Sequence, residues 1–283
     1  MKVAFQGERG AYSEGAVYSF FGSSAKVKPC RNLSDVFESV DKEEVDYGVV
    51  PIENSIEGSV NQTYDLFLVY DLKVCGETVF KITHCLITNP QIVDLDLIEA
   101  IYSHPQALAQ SRSFLENLGC KLIPTYDTAG SVKMIREKML LNAGAVASEK
   151  AAEIYGMKVL VNGIEDNPNN YTRFFVLSKF DSPPSGEDKT SIIFSVKHLP
   201  GALYRSLEEF ATRKINLTKI ESRPTKQKPW EYNFYLDFEG HRSESRIKQA
   251  LIGLKKKSVF VKVLGSYPKA RKDFQESTIR VTN

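Results

Sequence analysis

Cysteine and histidine are scarce, four of each in 283 residues, and neither type clusters. Cys30, Cys75, Cys85 and Cys120 show no CxxC spacing, which argues against a zinc-ligand set or a redox dithiol and predicts reduced, mostly buried thiols. Long apolar runs are missing too. No window approaches the ~20 residues of a membrane span, and the start MKVAFQGERG enters a strand pattern with no signal-peptide region, so a soluble cytoplasmic protein that engages no membrane is expected. Nor is there a large excess of one charge. The net +2 combines 17 Lys and Arg against 23 Asp and Glu in residues 1–180 (−6) with 20 against 12 in residues 181–283 (+8), so only the second part is basic. Its charges are spread over helices and strand edges, and GLKKKS at 253–258 reads as the basic last turn of a helix, so no nucleic-acid partner is expected.

What is present is a chain long enough for two domains, with 42% hydrophobic residues to fill their cores. The segment KFDSPPSGEDKTS, with two prolines, a glycine and alternating charge, marks a boundary near residue 185. Before it, short apolar runs (KVAFQG, KVKPC, YGVVPI, IEAIYSH, KLIPTY, AGAVAS) alternate with helical patterns such as LSDVFESVDKEE and TAGSVKMIREKML. That alternation predicts parallel α/β sheets in two lobes, about 1–75 with 158–181 and about 76–157, joined through LKVCGETVFKITHCLIT. After a linker at 182–188, residues 189–283 run strand, helix, strand, strand, helix, strand and then a tail. The order βαββαβ predicts a ferredoxin-like split βαβ module, with a sheet face or edge left for a ligand or a second copy.

At the seam NPNNYTRFFVLS, amide-rich loop becomes apolar strand, with Thr172 and Arg173 at the join. Side chains alternate along a strand, so Thr172 shares a face with Phe174 and Arg173 with Phe175; at most one of Thr172 and Arg173 enters a given cleft. Four further clusters stand at predicted strand-to-helix turns, where parallel α/β sheets bind ligands. In PIENSIEGSV, Glu53, Asn54 and Ser55 follow a buried strand, and Gly58 and Ser59 are expected to open a helix whose backbone N–H groups suit a carboxylate. In SHPQALAQ, Ser103 and His104 precede Pro105 at a helix start. TYDTAGSV and VASEKAAE complete the set, the latter with Ser148 at an N-cap.

With FQGERGAYSE at 5–14, PIENSIEGSV at 51–60, SHPQALAQ at 103–110, NYTRFFVL at 170–177 and GALYRSLEEFATRKINLTKIESRP at 201–224, the chain resembles the prephenate dehydratases over nearly its whole length. The resemblance implies a bilobal, periplasmic-binding-protein-like α/β catalytic domain followed by an ACT regulatory domain, in a stand-alone form without the chorismate mutase domain of bifunctional members. It implies decarboxylating dehydration of prephenate to phenylpyruvate in L-phenylalanine biosynthesis. Aromatisation drives that reaction, so no cofactor and no metal is expected. Thr172 is implied as the catalytic donor at the leaving hydroxyl. Glu53, Asn54, Ser55, Gly58, Ser59, Ser103, His104, Gln106, Thr128, Ser148, Arg173 and Phe174 are implied around the substrate, with Arg173 either a carboxylate ligand or structural. By the same likeness L-phenylalanine binds the ACT module at Gly201, Ala202, Leu203, Asn216, Leu217, Glu221, Ser222 and Arg223, in a homodimer or homotetramer.

Competing readings are an arogenate dehydratase, whose substrate differs from prephenate by an ammonium in place of a keto group, and a non-catalytic two-lobed anion-binding protein. An amino-acid-sensing regulator would need a DNA-binding motif, and none is found.

Overall fold

A computed structural model describes residues 1–226 and 230–270; most of the expected C-terminal tail, from residue 271 on, lies outside the described residues. Among the described residues no helix is long and apolar enough to cross a membrane.

The first apolar run, VAF, is buried in β1 (Lys2–Gln6), and α1 (Tyr12–Phe21) carries the chain to β2 (Lys26–Cys30), parallel to β1. The helix α2 (Leu33–Asp41) starts where Asp35 takes the backbone N–H of Asn32 at 3.0 Å, half of a capping box. It returns the chain to β3 (Tyr47–Asn54), parallel to β1 on the other side. There the chain doubles back as β4 (Gly58–Ser59), antiparallel to the end of β3, before α3 (Asn61–Val69) and β5 (Lys73–Lys81). With β11 (Tyr171–Ser178) these strands form one sheet in the order β2-β1-β3-β11-β5.

The second sheet holds β6 (Cys85–Thr88), β7 (Ala100–Ser103), β8 (Lys121–Pro124), β9 (Ala143–Ala147) and β10 (Lys158–Asn162), in the order β10-β6-β9-β7-β8. The β7 pairings with β8 and β9 are parallel, as in a crossover fold, whereas β6 runs antiparallel to β9 and β10. All of AGAVA in β9 is buried, as a central strand covered on both faces requires. The helices α4 (Pro105–Gln110), α5 (Arg112–Glu116), α6 (Thr128–Glu137) and α7 (Glu149–Tyr155) connect these strands.

Two expectations change here. Residues 158–162 join the second sheet rather than the first, because the outer edge of β6 offers unpaired backbone groups that KVLVN satisfies before the chain leaves. The run from Lys73 to Lys81, whose latter part was expected in the second lobe, forms the edge strand β5 of the first sheet.

The chain divides into two compact units: Met1–Tyr70 with Val79–Phe175, and Asp71–Thr78 with the residues from Val176 onward. These units part within β5 and β11, upstream of the expected 182–188 linker. In the second unit, β12 (Asp188–Ser195), α8 (Ala202–Ala211), β13 (Leu217–Pro224), β14 (Tyr232–Glu239), α9 (Ser245–Lys257) and β15 (Phe260–Pro268) follow the predicted βαββαβ order. Its sheet is antiparallel, β13-β14-β12-β15, over a core that includes Phe194, Phe210, Phe238, Ile247 and Leu254.

Candidate active site

Strand alternation sorts the seam at β11 as the sequence predicts. Arg173 lies on the Phe175 side, its guanidinium 5.1 Å from the ring centre, with Nε 2.9 Å from Glu53 Oε1. Thr172 lies on the other face, facing Asn54. Arg173 and Phe174 are 8% and 2% exposed, so both are largely packed into the scaffold.

Around Thr172 is a network of carboxamides. Asn54 Oδ1 accepts the backbone N–H groups of Ile56 and Glu57, both at 3.0 Å. A backbone N–H can only donate, so this contact orients the amide and turns Nδ2 toward Asn170 Oδ1 at 2.7 Å and Thr172 Oγ1 at 3.0 Å. The Thr172 oxygen is therefore an acceptor. Among the described residues its own hydrogen has no acceptor. Asn170 Nδ2 donates to Gln110 Oε1 at 2.8 Å, Gln110 Oε1 also meets His84 Nε2 at 3.0 Å, and His84 Nδ1 meets the Tyr12 hydroxyl at 2.7 Å. Burial lowers the His84 pKa and raises that of Tyr12 well above its ordinary value, so both are neutral near pH 7.

The other expected residues take different places. Gly58 and Ser59 do not open a helix. The turn that Asn54 Oδ1 holds sends the chain back along β3, with Gly58 at φ +80°, and the helix begins at Asn61. Ser55 Oγ donates to Asn169 O and accepts the Tyr171 N–H, at 2.8 and 2.9 Å, tying the two loops together. Ser103 is fully buried and donates to Val146 O at 2.6 Å. His104 caps α4 through Nδ1, with its pKa lowered by burial, while Gln106 is exposed in the first turn. It is Gln110, one turn on, that enters the network.

A second seam lies where the loop after β1 meets the second sheet's helices. Thr128 is the first residue of α6, whose cap is Asp127, buried enough to raise its pKa. Glu8 accepts from Tyr126 Oη at 3.0 Å and Lys133 Nζ at 3.1 Å, and Ser148 caps α7 while donating to Gly10 O at 2.5 Å. A hollow of about 310 Å³ opens there, lined by Gly7, Glu8, Pro29, Cys30, Arg31 and Tyr126.

Asn170, Gln110, His84 and Tyr12 were not singled out by motif reading. The available signal was polar side chains inside otherwise apolar stretches, in THCLI and at the end of SHPQALAQ.

In the second unit the expected effector residues separate. The register row Ser195–Asn233–Arg223 marks one end of the sheet and Thr190–Phe238–Leu217 the other. Gly201, the cap of α8 at φ +74°, and Ala202 and Leu203 follow the first end. Asn216 and Leu217 stand at the second, while the edge strand β13 carries Glu221 and Ser222 back toward the first end, which Arg223 reaches. A hollow of about 160 Å³ at the start of α8 is lined by Ala202 and Leu203 together with Trp230, Tyr232 and Phe234.

A family model described as "Prephenate dehydratase" matches residues 3–182. A bifunctional chorismate mutase/prephenate dehydratase of Aquifex aeolicus (strain VF5) is 50% identical over 273 residues, covering 95% of this chain and 74% of the relative. An arogenate dehydratase/prephenate dehydratase 2 of Arabidopsis thaliana chloroplasts is 42% identical, covering 95% and 73%. The crystal structure of a prephenate dehydratase in complex with L-Phe, from Arthrobacter aurescens, superposes with a TM-score of 0.87 at 34% identity, covering 99% of this chain and 93% of that one.

Proposed function

The chain belongs to the prephenate dehydratase family, and on that premise we propose that the Thr172 hydroxyl hydrogen-bonds the departing hydroxyl of prephenate. The enzyme converts prephenate to phenylpyruvate, carbon dioxide and water in phenylalanine biosynthesis. The ring carboxylate leaves as carbon dioxide, its bonding pair enters the ring, and the carbon–oxygen bond opposite breaks. The departing oxygen gains negative charge as it leaves, so it needs a donor that is already aimed.

The observation that carries this assignment is the bond from Asn54 Nδ2 to Thr172 Oγ1. Accepting that bond polarises the hydroxyl and leaves its hydrogen for the substrate. An alcohol is a weak acid, so Thr172 stabilises the departing oxygen as a donor, and a proton taken up from solvent completes the product water. Arg173 acts on the opposite face of the strand by holding Glu53. The hydroxyls of Ser55, Ser103 and Ser148 serve the scaffold.

For the second unit we propose the ferredoxin-like ACT module, binding L-phenylalanine and lowering activity from a distance. Support comes from the aromatic-lined hollow at the start of α8 and from the relative solved with L-Phe. Because Leu203 and Asn216 stand at opposite ends of one sheet, the site is completed by β13 of a second copy, which makes the working form a homodimer or homotetramer. The four free thiols suit a reducing cytoplasm.

Incubating the purified protein with prephenate and, separately, with arogenate, and following product absorbance, tests the activity. Phenylpyruvate formed from prephenate is expected. Product from arogenate alone would move the assignment to arogenate dehydratase, a reading kept open by the plant relative, and product from neither would overturn it. Calorimetry with L-phenylalanine, on wild type and Glu221→Ala, tests the second proposal; no heat and no inhibition at millimolar ligand would reduce the module to dimerisation.

A further inference from the structure

His84 stands at the far end of the carboxamide network from Thr172, on the chain between β5 and β6, and it is 2% exposed. The direction of every bond between them can be derived. Backbone N–H groups impose the Asn54 orientation, which makes Asn170 Oδ1 an acceptor and its Nδ2 a donor to Gln110. Gln110 Oε1 is then an acceptor, so the ring nitrogen 3.0 Å from it, His84 Nε2, must carry a hydrogen. A neutral imidazole protonated at Nε2 has a lone pair at Nδ1, and the Tyr12 hydroxyl sits 2.7 Å from that atom, where it can donate. The same hydroxyl is 2.9 Å from Thr83 O, so the ring competes with a backbone carbonyl for that hydrogen.

We propose that His84, as the Nε2–H tautomer that the Gln110 oxygen requires, is a positioning residue for the dehydration, locking the Gln110 carboxamide and through it the Asn170–Asn54–Thr172 alignment. The inference rests on the assignment of Thr172 to the leaving hydroxyl. Its logic is that Gln110 Oε1 takes two donors, from Asn170 and His84, and the second holds the amide in one orientation. The Gln110 Nε2 group is thereby kept on its other side, toward Glu57 at 3.4 Å. Without the His84 donor only the Asn170 bond and the long contact to Glu57 resist rotation of Gln110, and Asn170 loses a stationary acceptor. The alternative is a satisfied core histidine that merely fills space beside Tyr12, whose ring packs edge-on at 5.5 Å.

Two isosteric replacements separate these readings. His84→Gln can place an amide nitrogen where Nε2 stands and keep the donor to Gln110, whereas His84→Asn reaches only the Nδ1 position and the contact with Tyr12. The positioning role predicts kcat within about threefold of wild type for His84→Gln and a fall of about 10- to 100-fold for His84→Asn, with KM moving by no more than about threefold in either. Equal losses in the two variants, or a larger loss in His84→Gln, would overturn it. The tautomer is read independently in wild type by long-range proton–nitrogen correlation on the ¹⁵N-histidine-labelled protein. A neutral Nε2–H ring at about pH 7 is expected, and an Nδ1–H ring overturns the proposal even where a variant fails to fold. Should wild type show the Nε2–H ring yet form no product from prephenate, the assigned reaction fails while the hydrogen-bond assignment stands.

Discussion

Asn54 Nδ2 and Thr172 Oγ1 lie 3.0 Å apart across 118 positions of sequence, with the amide donating and the hydroxyl accepting. The direction of that bond leaves the threonine hydrogen available to donate, as the proposed role requires. Its neighbours along the two strands, Glu53 and Arg173, pair on the opposite face at 2.9 Å. Adjacent positions on paired strands thus divide between the two faces: one pair enters the carboxamide network proposed to serve the substrate and the other forms an ion pair.

Removing the hydroxyl should affect chemistry more than folding. Thr172→Ala is expected to lower kcat by about 10²–10³-fold with KM within a few-fold, the range for loss of one aimed donor. Thr172→Ser, which keeps the oxygen, should retain much more activity. Wild-type turnover in the alanine variant would refute the role.

Asn54→Asp replaces the donating nitrogen with oxygen, facing three acceptors, Asn170 Oδ1, Thr172 Oγ1 and the Tyr171 backbone oxygen. Each buried group left without its partner costs about 1–3 kcal/mol. Urea denaturation should show a loss of that size, with kcat falling at least as far as in Thr172→Ala. A variant as stable and as active as wild type would mean that the network carries neither stability nor chemistry.

His84 predicts how stability depends on pH. Its pKa is lowered in the folded protein, chiefly by burial, from 6.5 when unfolded, so below that value the unfolded chain binds the extra proton. Stability from this group is then complete above about pH 6.5 and declines as pH falls through that value toward the lower folded pKa. Denaturation midpoints measured at intervals between about pH 5 and 8 should show this slope in wild type and a shallower one in His84→Gln. Identical slopes in the two proteins would exclude His84 as its source.

Gly10 tests the seam between the two sheets of the first unit. Its φ is +87°, and a Cβ there would lie 2.6 Å from Ala151 Cα, so Gly10→Ala is strained twice. A loss of roughly 1–3 kcal/mol is expected, together with a raised KM as the loop is pushed from α7. Ser148→Ala, which removes the α7 cap and the bond to Gly10 O but introduces no clash, should cost about 1 kcal/mol. A larger loss from Ser148→Ala than from Gly10→Ala would place the constraint in the cap rather than in the close approach.

The order of strands and helices, and the βαββαβ topology of the second unit, were legible in the sequence because they follow from local properties. Apolar periodicity, prolines and caps act over a few residues, so VAF, AGAVA and SIIF declare their burial wherever the chain goes. The face-sorting of Thr172 and Arg173 was legible for the same reason. Tertiary structure alone decided that β10 joins the second sheet, since edge pairing depends on which strand is left open. It also decided that Gly58 and Ser59 pair as a strand, because the Asn54 turn reverses the chain before a helix can start. Choosing Gln110 over Gln106, and linking Thr172 to Tyr12 through three carboxamides and a histidine, lay beyond any local rule. Amide side chains carry no period, and their partners here come from segments as far apart as Asn54 and Asn170, which only the folded chain brings within hydrogen-bond reach.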